Sequence, residues 1–246
     1  MTLEKKFEKS GNWLFRWRSF LPLVMIGLFV LGLKDFHRPF ANPSLDLLWE
    51  LVCLSVSLIG LAIRVFAGGY VPSGTSGRNT KKQTARVLNT TGIYSVVRHP
   101  LYLGNFFIWL GLSLFIKWWW FSFVIILTFW LYYEKIMYAE ERFLEVKFGD
   151  QFLEWAQKTP AFIPSWKNYQ PAILPFSIKA ALGKEYSTYF AIIISFTVLE
   201  MVSDLFAEGR VEFDPVWIGI FTISLVIYVT VRILKKYTTI LHVAGR

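Results

Sequence analysis

Residues 102–116 read YLGNFFIWLGLSLFI and residues 118–138 read WWWFSFVIILTFWLYYEKIMY, with only Lys117 between them. A helix needs ~20 residues to cross the hydrocarbon core of a bilayer, so the second run is long enough and the first is short. A single intervening cation implies a tight helical hairpin, in which tilt, flanking residues or local thinning of the bilayer absorbs the mismatch. Outward from this pair, apolar runs recur at residues 17–33, 47–69, 187–206 and 215–234. The expected fold is all-α, a polytopic transmembrane helical bundle of six spans with both termini on one side.

Composition points the same way. Of 246 residues 54% are apolar and 17% charged, with a mean hydropathy of +0.44, whereas about a quarter of a soluble domain is charged. Eleven Trp within an aromatic share of 18% fit rings placed where hydrocarbon meets headgroups. Cys53 is the single Cys, so the chain forms no internal disulfide, and three scattered His offer no zinc spacing. The basic, aromatic residues 1–18 carry no small-residue cleavage site, so the first span is expected to be retained. A net charge of +9 comes without a basic stripe on a soluble reading domain, so no nucleic acid partner is expected.

The cations instead mark topology. Residues 1–18 carry five Lys and Arg, residues 70–98 five, 135–184 seven and 232–246 four, against Lys34, Arg38, Lys117 and Arg210 on the other face. By the positive-inside rule both termini and both long polar segments are cytoplasmic. Chemistry is expected there, because loops carry function and only these two are rich in polar side chains. No glycine-rich dinucleotide fingerprint and no phosphate-binding Gly-Lys-Ser/Thr occurs, so a nucleotide-like ligand must be held another way. Gly74 and Gly77 read as a turn cluster, and Arg78, Lys81 and Lys82 as topology or as an attraction for anionic headgroups.

The segment from Thr91 to Gly104 reads TGIYSVVRHPLYLG. Pro100 has no amide hydrogen to lose and can open the third helix, which leaves Arg98 and His99 at the boundary. Tyr102 and Gly104 then enter the membrane, and Gly104 lets a ligand or another helix approach the backbone. An imidazole at this depth can hydrogen-bond a purine or ribose or move a proton. The fourth span runs into Glu134 and Lys135, then Glu140-Glu141-Arg142-Phe143-Leu144, then Phe148-Gly149, Phe152, Trp155 and Pro160 to Pro164. Glu140 facing a cavity would pair with a cation, a contact worth more away from water. Glu141, one helical position on, points elsewhere, to Arg98 or Arg142.

Together these two stretches resemble the isoprenylcysteine carboxyl methyltransferase family and its phospholipid methyltransferase relatives. The matching residues are Gly92-Ile93-Tyr94, Arg98 through Gly104, Glu140-Glu141 with Leu144, Phe148-Gly149 and Pro160 to Pro164. The resemblance implies S-adenosyl-L-methionine as cofactor, bound by Arg86, Val87, Leu88, Asn89, Tyr94, His99, Pro100, Leu101, Tyr102 and Glu140, with Asn79 as a more distant contact. The relatives that methylate prenylated proteins look to have an Arg one turn before this Glu; here Ile136 stands there with Lys135 beside it, a departure from the prenyl-cysteine pattern.

Methyl transfer from a sulfonium is an in-line displacement, so the site must hold the reacting atoms ~3–3.5 Å apart and away from water. An anionic acceptor needs no general base but does need a cation. Arg64, about a turn inside the second span, and Lys135 are candidate substrate contacts, and Arg98 and Glu141 candidate catalytic residues. The expected activity is O-methylation of a carboxylate or phosphate on a membrane lipid or lipidated protein. The alternatives are N-methylation of a phospholipid amine, for which Glu141 could serve as base, an NADPH-dependent sterol-reductase-like enzyme, and a membrane scaffold without activity.

Three regions are expected: residues 1–84 with the first spans, 85–170 with the methyltransferase core, and 171–246 as an extension with two further spans, serving as platform for a larger amphiphile or as a dimerisation element. Glu200 and Asp204, four apart in the fifth span, read as solvated near its outer end. The expected location is a bacterial inner membrane or the endoplasmic reticulum, with the active face towards the cytoplasm.

Overall fold

A computed structural model describes residues 2–17, 27–29, 32–33, 43–72, 74 and 83–246. The elements are α1 (Leu3–Trp17), α2 (Pro43–Tyr70), a 3-10 turn (Gly92–Ser95), α3 (Pro100–Phe115), α4 (Trp119–Phe148), α5 (Asp150–Lys158), a second 3-10 turn (Trp166–Asn168), α6 (Ile178–Glu208) and α7 (Pro215–Tyr237). All regular structure among the described residues is helical, and α2 from Ser44, α4, α6 and α7 are long and apolar enough to cross a membrane. The chain is an integral membrane protein. Most of the expected first span lies outside the described residues, as do Lys34, Arg38, Gly77, Arg78, Asn79, Lys81 and Lys82. Residues Phe29 and Leu33 of that run are buried in the core beside the hairpin, where the Phe29 ring meets Phe121 edge-on at 5.1 Å.

The hairpin forms as the single cation suggested. Lys117 adopts a left-handed φ of 63° between α3 and α4, and its ammonium pairs with Asp46 of α2. Helix α2 packs along α3 through small residues. A Cβ on Gly60 would sit 2.3 Å from the Gly104 carbonyl oxygen, and one on Gly111 would sit 2.5 Å from that of Cys53. The glycines therefore set how closely the two backbones approach. Helix α6 packs on α2 as well, and α7 on α6.

Two features differ from the expectation. Helix α4 runs ten residues past Tyr138 to Phe148; α1 packs on it around residues 132–139, where Gly11 meets Lys135 and Ala139, and α5 packs on it as well. Glu200 and Asp204 are not solvated: they are 8% and 1% exposed, near the hairpin end of the bundle where Trp217 Nε1 donates to Glu50 Oε2 at 2.9 Å. Packing of α6 between α2 and α7 turns that face inward, which residue spacing within one helix does not reveal.

Candidate active site

Pro100 opens α3, as its missing amide hydrogen allows, and His99 immediately precedes it. The main chain before it is fixed by the segment after α5. Arg98 N donates to Pro160 O at 2.9 Å, His99 N to Ala161 O at 3.2 Å, and Ser165 N to Val96 O at 3.0 Å. On the other side Gly92 takes φ 60° and donates to Gln170 O at 2.8 Å, and a Cβ there would also crowd Ala172. Trp155 Nε1 donates to Tyr94 O at 3.0 Å. The string from Tyr94 to His99 is thus laced to α5 and to the strap at residues 159–165.

Arg98 completes the lacing with side-chain bonds. Its Nη1 donates to Ala156 O and Thr159 O at 2.7 and 2.8 Å, satisfying carbonyls left open at the end of α5. Its Nε and Nη2 donate to the two oxygens of Glu141 at 2.8 and 3.2 Å. Glu141 Oε1 also lies 2.8 Å from His99 Nε2. When Nε2 carries the proton, a neutral ring keeps Nδ1 as an acceptor. Glu140 points differently: its Oε2 accepts from Tyr102 Oη at 2.9 Å and stands 3.7 Å from His99 Nδ1.

These groups face a cavity of about 740 Å³. Of the residues singled out in the sequence, Arg64, Val87, Leu88, Asn89, Tyr94, Arg98, His99, Pro100, Leu101, Tyr102 and Glu140 line it. Arg86 does not: it is exposed, and its side chain lies over Gly74. Glu141 sits behind Arg98 and His99. Lys135 is turned away, with its ammonium 6.0 Å from the Phe7 ring of α1. The register of α4 explains this, because Tyr133, Glu140 and Leu144 share the cavity face at intervals of seven and four, and Lys135 lies two positions off it. Burial, and secondly the Glu140 carboxylate, push the Tyr94 phenol above its ordinary range, against the pull of Arg64. The phenol keeps its proton at neutral pH.

Among the lining residues not read from the sequence, Glu185, Asn105 and Tyr133 form a connected set. Glu185 of α6 binds Arg64 with both oxygens, at 2.8 Å to Nε and 3.0 Å to Nη2. Asn105 Oδ1 accepts from Arg64 Nη1 at 2.6 Å, and Asn105 Nδ2 donates to Tyr133 Oη at 3.0 Å. The Tyr133 and Tyr102 rings stand 4.9 Å apart, so one chain of contacts runs from Glu185 to Glu140. Arg64 was itself the signal: an Arg buried in an apolar run needs a carboxylate.

The phospholipid methyltransferase family model matches residues 53–151, which contain α3, α4 and the strings that carry the resemblance. A cobalt-zinc-cadmium resistance protein of Cupriavidus metallidurans is 33% identical over 154 residues, 63% of this chain and 64% of that protein. A nickel-cobalt-cadmium resistance protein of Alcaligenes xylosoxydans xylosoxydans is 28% identical over 60% of this chain and 62% of its own. The protein-S-isoprenylcysteine O-methyltransferase of Schizosaccharomyces pombe is 35% identical over 35% of this chain and 36% of that enzyme. The chain thus matches less than two thirds of the length of the first two relatives. No solved structure matches. Among the described residues, no group of three or more His, Cys, Asp and Glu side chains is placed to hold a metal ion. Residues 53–151 are thus similar to the phospholipid methyltransferase family, and about a third of the chain is similar to the isoprenylcysteine O-methyltransferase of Schizosaccharomyces pombe.

Proposed function

We propose, from that family match and the cavity, that the chain is a membrane-embedded S-adenosylmethionine-dependent O-methyltransferase acting on a carboxylate or phosphate of a lipid or lipidated substrate, with its active face towards the cytoplasm. The observation that carries the reading is the Glu140 carboxylate, oriented by Tyr102 at 2.9 Å and set beside His99 at 3.7 Å on the cavity wall.

The residues present fit the donor. A cavity of about 740 Å³ lies within the ~300–1,000 Å³ usual for small-molecule sites. Glu140 supplies the negative charge that a sulfonium or ammonium requires, Asn89 and Tyr94 supply polar edges, and Leu88, Leu101 and Leu144 supply apolar wall. When bound, S-adenosylmethionine supplies an electrophilic methyl group.

The chain's own residues then bind, orient and exclude water. Tyr94 donates its retained proton. His99 is fixed through Nε2 by Glu141, with Nδ1 3.7 Å from Glu140 Oε2. Arg98 and Glu141 act as positioning residues, since their mutual bonds and the α5 carbonyls occupy most of their hydrogen-bonding capacity. Phe143, Leu144 and Trp155 shield the wall, where every charge contact gains strength from the loss of water. An anionic acceptor needs no base, and Glu141, the base that an amine acceptor was expected to use, is engaged by Arg98 and His99. A second reading, methylation of a phospholipid amine, is compatible with the family's description as phospholipid methyltransferases; it requires Glu141 to leave Arg98 and His99.

Incubation of membranes containing the protein with methyl-labelled S-adenosylmethionine, followed by separation of lipid from protein, tests the proposal. Base-labile or phosphate-linked label in the lipid or lipidated fraction is expected. Label on a lipid amine selects the second reading, and absence of both donor binding and label transfer refutes the assignment.

A further inference from the structure

The segment before Tyr94 meets the cavity in a register that its sequence did not announce. Arg86 N donates to Gly74 O at 3.2 Å, and Gly74, at a left-handed φ of 78°, leaves room for the Arg86 side chain, whose Cδ would stand 3.0 Å from a Cβ there. The chain bends at Arg86 and Val87. Gln83, Thr84 and Ala85 before the bend and Val87, Leu88 and Asn89 after it all reach the cavity, while Arg86 at the bend turns away. Gln83 thus joins the wall, although it is not among the residues that the resemblance assigned to the donor.

Gln83 is also the member of this stretch whose chemistry is unmet. Its side-chain nitrogen, Nε2, is buried and has no hydrogen-bond partner. A primary amide carries two hydrogens on nitrogen and an accepting oxygen, and a donor left unmet away from water is costly. Native proteins keep few buried groups in that condition, so an orphan on a cavity wall points to a ligand atom that meets it. The neighbours narrow the choice. Ala85 and Leu88 are 7% and 8% exposed, and Leu88 packs in one apolar cluster with Tyr94, Leu144, Phe152 and Trp155. A flat ring with accepting nitrogens on its rim suits an amide set in an apolar stretch. A carboxylate, which needs water or cations, does not. Glu140, the carboxylate on the cavity wall, serves the cationic part of the same donor.

We propose that Gln83 binds the adenine of the methyl donor, its amide nitrogen donating to a ring nitrogen of the purine. This rests on the methyltransferase reading and adds to it a residue that selects the base. The amide oxygen can accept from the adenine amino group at the same time, the two-point pairing that Gln and Asn side chains make with adenine in nucleic acids.

Calorimetry on the purified full chain in nanodiscs tests this, with S-adenosylhomocysteine and methylthioadenosine as probes. The second carries the purine and ribose without the carboxylate. Gln83→Met should weaken both probes by about threefold to tenfold, the scale of one lost hydrogen bond between uncharged groups. Gln83→Glu keeps the shape but puts an acceptor where the donor stood, and should lose at least as much. Thermal midpoints identify any variant that fails to fold, and the two probes are compared within each folded one. A side chain that only fills space would leave Gln83→Glu at wild-type affinity, and that result overturns the contact, as does wild-type affinity in Gln83→Met. A loss confined to S-adenosylhomocysteine assigns the amide to the donor's carboxylate and overturns the purine. Wild type that binds neither probe refutes the methyltransferase reading itself, and the base contact falls with it.

Discussion

Glu185 grips the guanidinium of Arg64 through both oxygens, at 2.8 and 3.0 Å, although 121 residues separate them in the chain. The pair is buried, with side chains 15% and 7% exposed. Removing either partner alone leaves a charge unpaired in a dry wall, at a cost of about 3–5 kcal/mol. Arg64→Met with Glu185→Leu together should cost much less than the sum of the single changes. Denaturation of the four proteins in one detergent measures this, and additive losses would count against the pair.

Glu140→Ala and His99→Ala should each remove donor binding while the protein still inserts and keeps its helical content. For Glu140, losing the carboxylate opposite the donor's cation costs about 2–5 kcal/mol, thirtyfold or more in affinity. Calorimetry with S-adenosylmethionine reads the effect, and wild-type affinity in both variants would remove the site assignment.

Gly104→Val should destabilise the fold by about 1–3 kcal/mol or more, because even a Cβ would stand 2.5 Å from Arg64 Cγ and 2.7 Å from the Gly60 carbonyl oxygen. Gly219→Ala, whose Cβ would meet nothing within 4 Å, should be neutral or mildly stabilising. Thermal midpoints of the two variants should move apart; equal shifts would mean that the α2–α3 approach is looser than described.

The Tyr94 phenol holds its proton more tightly when folded than when unfolded. Its contribution to stability is complete below the unfolded value of about 10 and fades as pH climbs beyond it. Stability measured from neutral to alkaline pH should therefore fall above about pH 10, and Tyr94→Phe should flatten the decline. A variant that declines as steeply as wild type would exclude Tyr94 as the source.

The hairpin around Lys117 was legible because chain length and polarity decide it locally. So was the pairing of the Tyr94 to Tyr102 string with Glu140, because the order of the motifs carries it. What stayed hidden depends on how helices rotate against one another. Nothing local distinguishes Glu185, between Lys184 and Tyr186, as the partner of Arg64. Lys135 was read as a substrate contact from its place beside Ile136, yet α4 turns it towards α1. Glu200 and Asp204 looked like water-facing residues until two neighbouring helices enclosed them.

The strap after α5 has a consequence for how this core tolerates change. Arg98 N and His99 N hang from the carbonyls of Pro160 and Ala161, so the height of the imidazole is written into main chain alone. Exchange of side chains along the strap leaves those carbonyls in place, whereas inserting or deleting one residue there would shift the phase of every tether at once. Drift in spelling is tolerated and drift in length is not.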